Sequence, residues 1–145
     1  MLGPAGVTFT KREGDGATPA GRFAFLSAYY RSGASAMLPR GLARQPVRRA
    51  TIWCDAVGHA LYNRAGRLPF SASHERLWRD DRVYDLVIVL DYNIRPRAQG
   101  RGSAIFFHLT RTPPAPIAGC VAISAAAMRR LAPRLGAGAK MTIRR

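Results

Sequence analysis

Two side chains in this sequence have the type and setting for covalent chemistry. Cys120 sits in the run Ala118-Gly-Cys-Val-Ala122, and His108 ends the apolar run Ala104-Ile-Phe-Phe-His108. A thiol nucleophile needs access to substrate, a base, and backbone N–H groups for the oxyanion that develops. Cys120 follows a proline-rich stretch and precedes a helix start, a setting that reads as exposed on a turn. Gly119 permits the tight backbone needed to present N–H groups there. His108 lies 12 residues upstream and supplies the base if the intervening loop folds back. Taken as spacing alone, the pair is weak. The commoner case is a buried small cysteine and a hydrogen-bonded core histidine. Cys54, after Trp53, reads as buried, and a bridge from it to Cys120 would switch the thiol off. The two cysteines lack C-x-x-C spacing, and with His59, His74 and His108 they carry no zinc-ligand signature.

The elements that must hold these residues are mostly strands. Lys11 to Gly21 is dense in turn formers, and a strand-like run begins at Phe23, Phe25 and Leu26. Tyr29 to Arg49 reads as a short strand passing into a loop. Thr51-Ile-Trp-Cys54 reads as a short buried strand and residues 58–72 as loop. Ser71 or Ser73 is placed to cap a short helix through Glu75, Leu77 and Trp78. Val83 to Leu90 is nearly all apolar with three β-branched residues, the pattern of a central strand buried on both faces. Asn93 to Gly102 is a turn-rich connection, and the three prolines between Thr110 and Ile117 demand an extended loop. Val121 to Ile123 is strand-like, Ser124 caps a helix from Ala125 to about Leu135, and Gly136 stops it. Lys140 to Ile143 closes the chain as a strand. The expectation is one domain over residues 1–145, mostly β (α+β), with a single C-terminal helix.

Composition narrows the function. A chain of 145 residues with 48% hydrophobic and 21% charged side chains can build a real core. It holds no apolar run long enough to span a membrane, and its first residues lack the basic and apolar regions of an export signal. The net charge of +15 attracts polyanions. Its arginines are scattered from Arg12 to Arg145 rather than gathered in a stripe, so nucleic acid is not the expected partner. An anionic envelope polymer suits the same charge.

Three pieces of sequence, in order, carry a resemblance. They are the strand ending in His108 with its proline-rich loop, then Gly119-Cys-Val-Ala-Ile123 with the helix and strand that follow, and, far upstream, Lys11 with the Thr18-Pro-Ala-Gly21 turn. Together they resemble the YkuD-type L,D-transpeptidase domain. The middle of the chain is similar to compact branches of that family through Ser73-His-Glu-Arg-Leu-Trp78. The resemblance implies a β-sandwich or barrel with a helix after the catalytic cysteine, acting as a monomer on peptidoglycan stem peptides. Cys120 would attack an L-centre carbonyl of one stem and form a thioester. An amine of a second stem, usually a diaminopimelate side chain, would then resolve it. His108 would be the base, its ring oriented by the carbonyl of Leu109, and the Gly119–Cys120 backbone would help bind the oxyanion. No metal or organic cofactor is implied, carbapenems would acylate the thiol, and the place of action would be the periplasm or cell envelope.

The sequence departs from the family at three points. Ala118 and Ala122 stand where a histidine and an arginine are usual, Leu109-Thr110 replaces Gly-Thr, and the loop between His108 and Cys120 is short. The identity of the acyl donor is therefore open, as is the choice between transpeptidase and L,D-carboxypeptidase, in which water replaces the amine. A non-catalytic wall-binding module is the remaining option. Candidates for substrate contact are Tyr62, Asn63, His74, Trp78 and Arg79, since a stem peptide carries carboxylates that Arg pairs with well. For each of these the alternative is structural: Trp78 and Tyr62 as core, Arg79 and His74 as solvated surface.

Overall fold

The structure is a computed structural model, and it describes residues 1–111, 113 and 117–145. Eleven strands and one α-helix are present among these residues. The strands are β1 (Val7–Thr8), β2 (Thr18–Pro19), β3 (Gly21–Tyr30), β4 (Ala43–Pro46), β5 (Thr51–Cys54), β6 (Arg64–Arg67), β7 (His74–Arg76), β8 (Leu86–Leu90), β9 (Phe106–Leu109), β10 (Val121–Ile123) and β11 (Lys140–Ile143); the helix is α1 (Ala125–Leu131).

Six strands form the main sheet in the order β10-β9-β8-β3-β11, with β4 also on β3. The ten-residue β3 serves two partners along one edge. β11 pairs antiparallel with Gly21–Ala24, and β4 pairs parallel with Ser27–Tyr30. A register shift between Phe25 and Ser27 marks the change of partner. A second sheet, β6-β5-β7, is antiparallel throughout, and β1-β2 form a small parallel pair.

Both faces of the main sheet are covered, which is why β8 reads as a continuous apolar run. Side chains alternate along a strand. Leu86, Ile88 and Leu90 therefore pack with Phe25, Phe107, Leu109, Met128 and Leu135 beneath α1. Val87 and Val89 point the other way, into a cluster with Tyr29, Trp53, Leu77, Tyr84, Phe106 and Cys120 under the second sheet. The molecule is thus a mostly β sandwich closed on one side by the helix, as expected from the sequence.

Several local expectations change. Residues 71–78 contain the strand β7 rather than a helix, because Trp53 and Cys54 of β5 offer backbone partners to Glu75 and His74. Cross-sheet pairing here outweighs the capping signal of the serines. Residues 64–67 form β6 on the other edge of β5, with Gly66 tucked against Ile52. The loop expected between Tyr29 and Arg49 holds β4 and a 3₁₀ turn at Ser35–Met37. α1 begins as expected, with Ser124 Oγ accepting from Ala127 N at 3.2 Å. It ends early, passing at Ala132 into a 3₁₀ turn around Pro133 rather than running on to Gly136. Of the proline-rich stretch, Thr112 and residues 114–116 lie outside the described residues.

Candidate active site

The cysteine loop is held by the Thr-Pro turn, 102 residues away in sequence. Thr18 is fully buried; its Oγ1 accepts from Gly3 N at 2.7 Å and donates to the Cys120 carbonyl at 3.3 Å. Gly119 lies against the same turn with φ of +86°. A Cβ there would stand 2.6 Å from the Ala17 carbonyl oxygen, so no other residue fits without moving backbone. Lys11 runs beside this junction, 5% exposed, with Nζ bonded to Asp15 Oδ1 at 2.6 Å and to the Arg12 carbonyl at 2.7 Å.

Cys120 itself is buried rather than exposed, at 5% of its free surface. The turn reading took account of its glycine neighbour but not of the apolar cluster that closes over the thiol. Sγ donates to the Ala104 carbonyl at 3.1 Å and accepts from Phe106 N at 3.4 Å. Burial pushes the thiol up to about 12; the nearby Glu75 charge adds to this, while the Phe106 N–H and the Lys11 charge oppose it. The resting thiol is protonated. Ala104 adopts a left-handed conformation, φ +52°, which is rare for a residue with a Cβ. Asn63 pins it there, accepting from Ala104 N at 3.0 Å.

His108 projects from β9 on the same face as Phe106, toward the second sheet, and is 2% exposed. Its Nδ1 lies 2.8 Å from the Leu109 carbonyl. A carbonyl only accepts, so Nδ1 carries the ring proton and Nε2 keeps its lone pair. The edge-to-face ring of Tyr84, 5.0 Å away, fixes the imidazole plane. Desolvation drives the histidine down to about 4, only partly offset by the Leu109 bond, so it is neutral through the physiological range. Among the described residues no hydrogen bond joins His108 to Cys120.

The two nonetheless share one cavity of about 300 Å³. Its charged lining is Lys11, Arg79 and Arg111 against Glu13, Asp55, Glu75 and Asp81. Arg79 grips Asp81 with two bonds, Nε–Oδ1 at 3.0 Å and Nη2–Oδ2 at 2.6 Å, and reaches Glu75 at 3.4 Å. These contacts raise the guanidinium and hold Asp81 below the usual carboxylate range. Tyr84 donates to Glu75 Oε1 at 3.0 Å. Burial raises the Glu75 carboxyl, against the pull of Tyr84 and Arg79.

Of the substrate-contact candidates from sequence, Arg79 alone lines this cavity. Tyr62 is fully buried, its hydroxyl donating to Glu13. Asn63 is a scaffold residue. Its amide accepts from Trp53 Nε1 and Ala104 N, both at 3.0 Å, and donates to the carbonyls of Tyr92 and Asn93. His74 bonds the Ala72 carbonyl through Nδ1 and lies edge-on to Phe70. Trp78 is overlaid by the guanidinium groups of Arg31 at 4.1 Å and Arg49 at 5.2 Å. The Gly119 N–H, expected at the oxyanion, donates to the Ile117 carbonyl at 3.0 Å. The side chain of Leu109 packs in the opposite core, and its carbonyl alone reaches the site.

Sequence reasoning missed Asp55, Glu75, Asp81 and Tyr84. Reading residues 71–78 as a helix gave Glu75 no place facing the site. Strand alternation sets it on the face opposite His74 and Arg76, the same side as the buried Leu77.

No curated protein and no solved structure matches this chain. A family model does: that of YkuD, the L,D-transpeptidase catalytic domain, matches residues 2–143. With nearly the whole chain matched, and a buried cysteine and histidine on one cavity wall of a β-rich sandwich, the protein belongs to the YkuD family of L,D-transpeptidase catalytic domains.

Proposed function

We propose that the protein is a peptidoglycan L,D-transpeptidase in which Cys120 is the nucleophile and His108 the base. The observation that supports this best is the tautomer of His108. With Nδ1–H committed to Leu109, Nε2 is the lone pair available to take a proton within the cavity that Cys120 also lines.

The resting pair is neutral on both sides, thiol and imidazole, since burial disfavours each charged form. Proton transfer therefore accompanies attack rather than preceding it. The thiol leaves its bond to Ala104, its proton passes to Nε2, and sulfur adds to the carbonyl at an L-centre of the donor stem. On collapse the C–N bond breaks, the leaving D-residue takes the proton from His108, and a thioester remains. A second stem's amine then attacks the thioester and releases the thiol, forming the cross-link. Lys11 is the cation whose charge favours the thiolate during these steps. Stem peptides lie outside the cytoplasmic membrane, so the proposed place of action is the cell envelope, on peptidoglycan as partner.

Intact mass after incubation with a carbapenem tests the reading. The expected result is a covalent adduct on the wild type and none on Cys120→Ser. A wild type that stays unmodified while its thiol titrates as free would overturn it.

A further inference from the structure

Resting on the transpeptidase reading, we propose that Asp55 and Glu75 form the subsite for the acceptor stem's ammonium group, and that Glu75 is the base that takes its first proton. Three observations carry this.

The first is a reversal of sign. The chain as a whole is +15, yet four carboxylates face three cations in the cavity, a net of −1. A basic surface draws in the anionic polymer, and the cavity within it favours a cation.

The second is which carboxylates remain without partners. Asp81 is engaged by Arg79, and Glu13 accepts from Tyr62. Asp55 Oδ1 is buried with no hydrogen-bond partner among the described residues. Glu75 uses Oε1 for both Tyr84 and Arg79, leaving Oε2 without a bond among those residues. Ser103, 5% exposed, adds a further buried oxygen without a partner on the same cavity wall. An ammonium has three donors to place, and these oxygens are the acceptors still open. A buried polar atom left unpaired is costly, and a cavity that keeps two of them, Asp55 Oδ1 and Ser103 Oγ, suits a guest that supplies donors.

The third is linkage to the reacting groups. Tyr84 joins Glu75 at 3.0 Å and sets its ring 5.0 Å from that of His108. The Glu75 charge is felt at Cys120. The burial that raises the Glu75 carboxyl, together with the neighbouring Asp55 and Asp81 charges, makes it a stronger base than an exposed carboxylate.

The proton balance closes. The acceptor enters as R–NH₃⁺ and gives one proton to Glu75. The resulting amine adds to the thioester carbonyl, and its second proton passes to His108 Nε2. The C–S bond breaks, the thiolate takes that proton, and the amide N–H keeps the third. Glu75 then releases its proton to water.

The test compares two acceptors on the same acyl-enzyme. One is a diaminopimelate-bearing tripeptide stem, cationic at its amine. The other is hydroxylamine, uncharged at neutral pH. Cross-linked dimer and hydroxamate are quantified by chromatography and mass spectrometry, with a tetrapeptide stem as donor. Glu75→Gln is expected to lower dimer formation on the order of 10²-fold, the scale of a lost general base. Any effect of Glu75 on acyl-enzyme formation through Cys120 is common to both acceptors, so the ratio of dimer to hydroxamate is the readout. It should fall by about the same 10²-fold, since hydroxylamine needs neither charge recognition nor deprotonation on arrival. Asp55→Asn should raise the KM for the stem amine with a smaller change in kcat. Dimer and hydroxamate falling together, or dimer unaffected, would overturn the proposal. A wild type that forms the carbapenem adduct but resolves its acyl-enzyme with water alone overturns this inference and leaves Cys120 and His108 in place. A wild type with no adduct removes both.

Discussion

The two faces of β8 and β9 share a backbone and a pleat but carry different loads. Toward α1, Phe107 and Leu109 meet Leu86, Ile88 and Met128 in a cluster made wholly of apolar side chains. Toward the second sheet, Phe106 is followed by His108, and Tyr84 and Cys120 join Val87 and Val89. The helix face stabilises by burying hydrocarbon, with no polar atom to satisfy. The cavity face gives up part of that gain to hold a thiol, an imidazole and a phenol away from water, each shifted toward its neutral form. One face is interchangeable packing, and the other has a chemistry set by where its neighbours' charges and carbonyls lie.

That contrast is sharpest where a substitution on one face leaves the other intact. His108→Gln is expected to lower stem-peptide turnover about 10²–10⁴-fold, the range of a lost general base, with little loss of fold. Near-wild-type turnover in a product assay would remove His108 from the mechanism. Phe107→Ala, one residue away on the opposite face, should do the reverse. It leaves a cavity beside Phe25, whose ring centroid is 6.0 Å off, and should cost about 3–5 kcal/mol of stability in urea unfolding. The specific activity of its folded fraction should stay near that of the wild type. A loss of activity in proportion to His108→Gln would mean that the two faces are not separable.

The smaller effect is in the pH dependence of stability. His108 titrates near 4 when folded against an ordinary 6.5, so between those values the unfolded chain binds more protons. Its contribution is full above 6.5 and is lost as pH falls toward 4. Cys120 titrates near 12 against an ordinary 9.0, so the folded chain holds the extra proton there. Its contribution is full below 9 and is lost as pH rises toward 12. Urea midpoints measured across pH should show both limbs. His108→Gln should flatten the acid limb, Cys120→Ala the alkaline one, and Phe107→Ala should lower the whole curve without changing either slope. A Phe107→Ala curve that altered a limb would again join the faces.

Much of the main sheet could be read in advance because its strands announce themselves by composition. Val83 to Leu90, Ala104 to His108 and Lys140 to Ile143 are short runs rich in apolar and β-branched residues and bounded by turns. The second sheet was harder. β6 is Arg-Ala-Gly-Arg and β7 is His-Glu-Arg, sequences with no strand signature of their own. They are strands because β5 between them has two free edges to satisfy, a demand that exists only once Trp53 is packed against Phe106.

The same division runs through the site. Sequence by itself singled out the two groups proposed to react. It placed Cys120 behind a glycine that permits a tight backbone, His108 at the end of an apolar strand, and the Thr18-Pro turn in the family's order upstream. Only the tertiary structure decided their state. Desolvation belongs to the packed cluster and not to the residue, so the neutral thiol and imidazole had no signature in the chain. Nor did the exchange of roles in the middle segment, where Asn63 became a buried clamp on Ala104 while Glu75 and Asp55 came to line the cavity. The place of Glu75 depends on which side of a three-residue strand faces inward, and that register is set by pairing with β5, about twenty residues away in sequence.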